Sequence, residues 1–587
     1  YYAWKRPEMS NQNAEVVDLL QGIGDLMELR GDESFKVRAY REAARQLDRI
    51  TEDVATLAAE GRLTDVRGVG PSIAKTIAEY LETGTSRQLN ALREQVPESL
   101  VELLGIRHFG PSRIVKVHRA LGISSLDELE EAARDGRLAA VAGFGAKTVE
   151  TLLTSIARFR RRRGHVARYV AESLAESMKH SLRQMASTPQ VEVVGGMRRL
   201  CESVREIALL AAADDAGEVI DAFTRLTAIR EHERDGTFEA LGRTRERYAV
   251  RLTVVPPAQW AEGLVWFTAA DAHREQLRAL AAERGVASPA AGGDVWAGFI
   301  RNGRKATTEA AVYKLLGLPV IPSELREGRG EVEAAQAGKL PKLIEVSDVR
   351  GDLHVHTNWS DGRHSVFQMG ERAGALGLDY IAIADHSPSL GVARGLTLER
   401  LEAQRREIAE ADDALEGIRI LSGVEVDIRH DGSLDYPDEV MGKFDFVTAS
   451  IHSGFQQSEE QLTERVVKAM RSPHVDAIGH LTGRILGWRE GLDLDVEKIL
   501  HVAAETGTAM EINAWPNRLD LNEEHARRAK DLGVKLVINT DSHAADQLAY
   551  LHYGVEIARR AWVEKGDVLN TLPYTSIACW SKSTSTR

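Results

Sequence analysis

Cysteine is almost missing from this chain, with two in 587 residues, Cys201 and Cys579. That scarcity excludes a disulfide framework and a cysteine-rich zinc site, and it fits a reducing compartment. Long apolar runs are missing too. None approaches the roughly 18 residues of a membrane span, so no membrane partner is expected. Basic charge is not in excess: the formal net charge is -13, which argues against a uniformly basic coat but allows the local basic stripe that a nucleic-acid surface needs. The opening "YYAWKRPEMS" lacks the apolar middle of a secretory signal, so Met9 is the expected native start and the cytoplasm the expected location. A chain this long exceeds one core, and a soft prior gives about four domains.

Residues 13–165 are rich in Ala, Leu, Glu and Arg, with apolar positions at three-to-four spacing broken by glycines. That is the pattern of short helices in series. Three breaks are alike: "VRGVGPSIAKTIAEYL" from Val66, "LLGIRHFGPSRIVKVHRALG" from Leu103 and "VAGFGAKTVETLL" from Val141. Each joins a glycine turn to an amphipathic helix, which leaves main-chain N–H groups at the helix start available to a phosphate. The segments resemble the helix-hairpin-helix motif, which grips DNA backbone without reading bases. The resemblance implies DNA contacts at Gly68, Gly70 and Lys75, at Gly110 and Arg113, and at Gly143, Gly145 and Lys147. One such segment would equally be an ordinary helical connection, whereas three in succession favour DNA. "IRHFG" departs from the usual Pro-Gly-x-Gly turn. The basic run "RFRRRRG" at 158–164 reads as a solvated linker or a further phosphate contact. Lys36 and Lys75 are each able to serve as phosphate ligands or as Schiff-base nucleophiles toward an abasic sugar.

"VEVVGGMRRL" from Val191 reads as a strand entering a glycine pair, and "REIALLAA" as a following strand. The order of three hairpins, a Gly-Gly-x-Arg-Arg strand and then "WFTAADAHREQLRALAAERG" resembles the family X DNA polymerases. That resemblance implies a nucleotidyltransferase-like palm in which an Asp-x-Asp pair and a third Asp hold two metals. The matching positions here are Glu206, Ala208 and Arg251. Ala208 offers no ligand atom and Arg251 puts a permanent cation where a metal belongs, so the usual two-metal site is not expected to form. Phe267-Thr268-Ala269 departs from the family's Tyr/Phe-Thr-Gly. Asp214, Asp215 and Glu218 read as an exposed turn leading to a helix rather than a substitute site. Gly195, Gly196, Arg198 and Arg199 are expected to hold phosphate without chemistry. Magnesium and deoxynucleotides would be used only by a polymerase working through an unusual site, an alternative left open.

Residues 316–350 carry prolines and charge with little apolar periodicity and read as a connector. From 351 the pattern changes to apolar runs that end in polar clusters: "GDLHVHT", "YIAIADHS", "ILSGVEVDI", "FDFVTASIHS", "VDAIGHL", "TAMEINAW" and "KLVINTDSH". Strand alternating with helix implies parallel pairing, and seven units closing on themselves give a distorted barrel whose site lies at the carboxyl ends of its strands. Those ends hold His354, His356, Asp361, His386, Glu425, His452, His480, Asp541 and His543. One such histidine is more often structural, but His-x-His and Asp-x-His each put both donors on one face of a strand. Mixed nitrogen and oxygen donors suit manganese or zinc, with iron as an alternative, better than magnesium. The set is enough for two or three divalent ions bridged by Glu425.

These residues resemble the polymerase and histidinol phosphatase domain, a metal-dependent phosphoesterase. The resemblance implies one ion on His354, His356, Glu425 and Asp541, a second on Glu425, His452 and His480, and a third on Asp361, His386 and His543. It also implies hydrolysis by activated water, with Glu425 and Asp541 central and no protein nucleophile. Arg394 and Arg484 are expected to clamp the substrate phosphate, or else to form surface salt bridges. Asp385 is expected to orient its neighbours or to form a salt bridge, and Asn513 and Trp515 to face substrate.

The expectation is a multidomain α+β chain: a lyase-like helical DNA-binding domain at 9–90, helix-hairpin-helix fingers at 91–165, a degenerate palm and thumb at 166–318, a linker at 319–350 and the phosphoesterase at 351–575. Its expected role is bacterial DNA repair on gapped, nicked or damaged DNA, in association with the nucleoid. Its chemistry would be 3′-5′ exonuclease, abasic-site cleavage or 3′-phosphatase action. A small-molecule phosphatase with a DNA-binding appendage, a non-catalytic scaffold and a polymerase are the alternatives.

Overall fold

Residues 11–47, 54–83, 85–107, 109–162, 164–185, 190–286, 306–390, 393–455, 457–487 and 489–579 are described by a computed structural model. Met9 and His108 lie outside them. The chain divides into two units, Tyr1–Arg163 and Gly164–Arg587.

The first unit is helical. Its buried residues form one cluster running from Val16 to Ile156, so the regions expected at 9–90 and 91–165 share a single core. The three hairpins repeat one construction. A 3-10 turn at Leu63–Asp65, Leu103–Gly105 or Leu138–Ala140 leads through a glycine turn into α1 (Pro71–Thr83), α2 (Pro111–Leu121) or α3 (Ala146–Arg162). In each the turn closes through the same bond, Val69 N to Val66 O at 3.0 Å, Phe109 N to Ile106 O at 3.1 Å and Phe144 N to Val141 O at 3.0 Å. Burial of Val69, Phe109 and Phe144 draws each turn against the core and leaves its glycines outward. Gly68 and Gly143 have φ of +86° and +94°, a conformation that side chains resist.

The second unit contains, after a helix at Arg168–Met185, a five-stranded sheet built from β1 (Val191–Val194), β2 (Glu206–Ala212), β3 (Ile229–Asp235), β4 (Glu239–Thr244) and β5 (Ala249–Val255), in the order β1-β2-β5-β4-β3. β2 and β5 run parallel, with Ala208 opposite Arg251. Two cores cover its faces, and one of them corrects the expected linker. Ile321, Leu325, Val332, Ala335 and Leu343 are buried with Val265, Leu277 and Val312, so this stretch packs into the core on one face of the sheet rather than running as a free connector. Proline and charge masked the few apolar anchors that fasten this stretch.

Seven parallel strands follow: β6 (Gly351–Val355), β7 (Tyr380–Ile383), β8 (Arg419–Asp427), β9 (Phe446–Ser450), β10 (Ala477–Ile478), β11 (Ala509–Asn513) and β12 (Leu536–Asn539). They pair in chain order, and Val355 bridges to Ser542 beyond β12, which nearly closes the barrel. Alternation along each strand decides where its polar residues go. At the amino ends Tyr380, Leu421, Phe446, Ala509 and Val537 share an apolar plug. Two, four or six residues later on the same faces stand His386, Glu425, His452, Glu511 and Asp541. The barrel interior therefore changes from hydrocarbon to donor atoms along its axis.

Candidate metal centre and DNA-binding elements

All nine residues singled out from the sequence meet at the carboxyl end of the barrel. Glu425, 1% exposed, stands at the middle: Oε1 lies 2.9 Å from His480 Nε2 and 3.2 Å from His452 Nε2, while Oε2 lies 2.9 Å from His386 Nδ1, 3.4 Å from His354 Nε2 and 3.6 Å from His356 Nε2. Asp541 Oδ1 is 3.2 Å from His356 Nε2, and Asp361 Oδ1 is 3.3 Å from His543 Nε2 and 3.6 Å from His386 Nε2. Asp361 and His543, with side chains 37% and 26% exposed, form the mouth. Two members, His480 and Asp541, have positive φ, 23° and 55°, strain of the kind that functional sites retain.

The electrostatics fit cations. Among the described residues, His354 Nε2, His356 Nε2, His386 Nδ1 and both oxygens of Glu425 are buried without a well-aligned hydrogen bond, close as they stand to one another. Such atoms are costly unless something binds them, and here they converge. Burial opposes charge on His354, yet Glu511, Glu425 and Asp541 outweigh it and raise its pKa well above the usual value. His386 follows, pushed up to about 10 by Glu425 and Asp361 against its burial. Burial beside His543 and His386 takes His356 down to about 3. Glu425 and Asp541 stay far below the usual carboxylate range, the surrounding imidazoles overcoming burial.

Several residues that support this cluster escaped the sequence reading. Glu511, fully buried, accepts from His354 Nδ1 at 2.7 Å and from Asn513 Nδ2 at 2.8 Å. Asp427 lies 3.3 Å from His452 Nδ1. Carboxylates behind imidazoles fix which nitrogen faces a metal. Asn513, expected to face substrate, is instead fully buried and also donates to Asp541 Oδ2 at 3.1 Å. The strand period that places Glu511 and Asn513 on one inward face was the available signal. Trp515 packs edge-on to His543, 5.8 Å between ring centres. Asp385 accepts from Thr357 N and Oγ1, Ser360 Oγ and Gln404 Nε2, so it orients neighbours through hydrogen bonds.

Of the two expected clamps, Arg394 stands at the mouth, exposed, with positive φ of 57° and a hydrogen bond to the carbonyl of Ser360 beside Asp361. Arg484 requires correction. Its guanidinium forks onto Glu202 at 3.1 and 2.6 Å, and its Nε donates to Arg518 O at 2.8 Å, so no donor pair is left for a substrate. A carboxylate brought over from the palm captured it.

In the five-stranded sheet the positions matched to the palm carboxylates form an ion-paired group. Arg251 Nε lies 3.1 Å from Glu206 Oε1, and Arg251 Nη1 lies 3.4 Å from Glu239, an ion-paired trio beside Ala208. Among the described residues, every group of three or more His, Cys, Asp or Glu positioned to share an ion lies in the barrel. Asp215 caps the following helix by accepting from Gly217 N at 2.8 Å. Gly195, Gly196 and Arg199 line a cleft of about 690 Å³, but the phosphate grip expected of Arg198 and Arg199 is spent internally. Arg198 binds Glu309 at 2.6 Å and Thr268 Oγ1 at 2.7 Å, and Arg199 binds Glu327 and Thr268 O, each at 2.8 Å.

In the helical unit, Gly68, Gly70, Gly110, Gly143, Gly145, Lys75, Arg113 and Lys147 are exposed at the three turns or on the helices that follow them. Arg160, in the basic run, pairs with Asp127 and Glu130.

Comparisons with known proteins agree with this layout. A helix-hairpin-helix domain matches residues 11–86, a SAM-like helix-hairpin-helix tandem residues 100–158, and a PHP domain residues 352–514. The chain is 32% identical to a probable phosphatase of Thermoanaerobacter sp. (strain X514) over 38% of its own length and 89% of the other's. To a probable phosphatase of Acetivibrio thermocellus it is 35% identical over 33% and 78%. To the DNA polymerase/3′-5′ exonuclease PolX of Bacillus subtilis (strain 168) it is 36% identical over 97% of its length and 99% of that protein's. Similarity of that extent, with hairpins and PHP domain in the same chain, establishes that the chain belongs to the bacterial PolX family of family X DNA polymerases.

Proposed function

We propose that this family member is a DNA-repair nuclease whose working centre is the barrel cluster and whose palm does not polymerise. The observation that carries this is a contrast: eight donor residues converge around Glu425, while an arginine paired to Glu206 and Glu239 occupies the palm position where a metal belongs. Manganese or zinc, with iron as an alternative, suits the mixed donors. One ion is assigned to His354, His356, Glu425 and Asp541, a second to Glu425, His452 and His480, and a third to Asp361, His386 and His543. In the closest groupings His356 also joins the third set, and His386 stands with Glu425 and His452. Bound cations supply Lewis acidity and a nucleophilic water at neutral pH.

The protein's own residues do the rest. Glu511 and Asp427 orient the imidazoles of His354 and His452, and Arg394 reaches phosphate oxygens at the mouth. The hairpin turns hold the backbone of gapped, nicked or damaged DNA independently of sequence, and the barrel acts on a 3′ end. The resulting activity is 3′-5′ exonuclease, the activity in the name of the Bacillus relative, with abasic-site cleavage and 3′-phosphatase action open to the same centre. The probable phosphatases among the relatives favour a second reading, a small-molecule phosphatase joined to a DNA-binding unit. Cytoplasmic, nucleoid-associated repair follows from the first. Division into a DNA-binding unit to about 162, a palm and thumb body at 166–343 and a phosphoesterase at 351–575 is part of the same proposal.

The test uses a gapped, 3′-labelled duplex with manganese and four deoxynucleotides. Shortening lost in His354→Ala/His356→Ala but kept in Glu206→Ala supports a barrel nuclease. Extension that survives the histidine changes refutes it.

A further inference from the structure

We propose that Arg518 binds a phosphodiester oxyanion beside the metal centre, and that Glu202, a palm residue, positions it through Arg484. The inference rests on the reading of the barrel as a phosphoesterase. Arg518 lies in the loop after β11, closed by Asn513 N to Asp520 O at 2.6 Å. Its Nε stands 3.8 Å from Asp541 Oδ2 and its side chain is 26% exposed. Among the described residues its guanidinium makes no hydrogen bond. Among the described residues the Arg489 side chain hydrogen-bonds through Nε alone, to Gly483 O at 2.9 Å, and packs over the Phe455 ring. Burial, then the like charge of Arg518, lowers the pKa of Arg489. Arg518, its donors uncommitted among the described residues and its Nε beside a carboxylate of the centre, is placed to receive an anion, and the planar fork of arginine matches two phosphate oxygens.

The loop needs an outside hold. Leu519 has φ of +47°, a conformation that non-glycine residues seldom keep unaided. Arg484 supplies the hold by donating to the carbonyls of Arg518 and Leu519, and Glu202 fixes Arg484 with a bidentate pair. A residue next to the five-stranded sheet thereby holds a loop of the barrel.

The experiment uses the full chain loaded with manganese. Calorimetry with inorganic phosphate measures affinity, elemental analysis measures manganese content, and steady-state hydrolysis of a 3′-labelled single strand gives kcat and KM. Arg518→Ala should weaken phosphate binding at least tenfold, mainly raising KM, with manganese content unchanged. Arg518→Lys should fall between, because it keeps the charge and loses the fork. Glu202→Ala should shift phosphate affinity three- to tenfold in the same direction. Glu202→Gln, which preserves shape, supports the positioning role if it shifts affinity likewise in a chain that unfolds at the wild-type temperature. Phosphate affinity within twofold of wild type in Arg518→Ala overturns the oxyanion site. The same result in Glu202→Ala and Arg484→Ala overturns the positioning role, and lost manganese in these variants overturns both. Wild-type phosphate binding without DNA hydrolysis would sink the nuclease reading and leave this inference standing.

Discussion

Replacing Glu511 with glutamine tests whether the barrel donors are organised for metal. The carboxylate accepts at both oxygens, from His354 Nδ1 at 2.7 Å and from Asn513 Nδ2 at 2.8 Å, in a setting closed to water. Glutamine has the same shape but only one acceptor oxygen, so its NH2 must face a donor on one side. Two relaxations exist. Either the contact to Asn513 is lost, or His354 moves its proton to Nε2, the atom that faces Glu425 and Asp541. A hydrogen bond to a charged group contributes about 1.5–3 kcal/mol, and an unmet buried donor costs a similar amount. At 1.4 kcal/mol per decade this is a ten- to hundredfold loss in metal affinity, the range known for residues behind metal ligands. Elemental analysis of wild type and Glu511→Gln, dialysed against a series of buffered manganese concentrations, reads the affinity directly. A midpoint within twofold of wild type would refute the argument that Glu511 sets the His354 tautomer.

Other consequences follow from charge and backbone. Glu523, buried against Arg560 and Arg329, has its pKa lowered from 4.5 to about 2, burial notwithstanding. Its ionised form is favoured in the fold, so its contribution of about 3 kcal/mol is present above pH 4.5 and lost as pH falls toward 2. Denaturant unfolding at pH 5 and pH 3 should show a shallower loss in Glu523→Gln than in wild type, and equal losses would remove the assignment. Carboxylates raise the pKa values of His354, His386, His452 and His543 in the metal-free protein, so loading manganese at pH 7.5 should release protons and affinity should fall with acid. Calorimetry in two buffers of different ionisation enthalpy detects the release, and none would contradict the ligand set. Gly143→Ala forces a side chain onto φ of +94°, at about 1–2 kcal/mol, and should weaken binding to a gapped duplex by fluorescence anisotropy. Unchanged affinity would remove the third turn from the DNA interface.

The clustering of the nine donor residues was legible in the sequence because β-strand alternation is local. Once a strand is recognised, His354 and His356, or Asp541 and His543, must share a face, and runs that end in polar clusters mark the carboxyl ends of parallel strands. The three hairpins were legible for the same reason, since a positive φ at Gly68 or Gly143 constrains residue type without help from elsewhere. The proposal of an inert palm likewise rests on Ala208 and Arg251, because neither residue type is able to hold a metal. Guanidinium partners were not legible. Arg484 read equally as a phosphate clamp or a salt bridge until Glu202, distant in sequence, was seen to hold it, and Arg198 and Arg199 turned inward to Glu309 and Glu327. Residues 319–343 looked like a linker because their anchoring contacts reach back to helices earlier in the chain. The sequence by itself determined the donor set, the turn chemistry and the missing carboxylates, all properties of residue type and short spacing. Only the tertiary structure decided which charges neutralise one another, because an arginine's long side chain pairs with whatever carboxylate the packing brings within its reach.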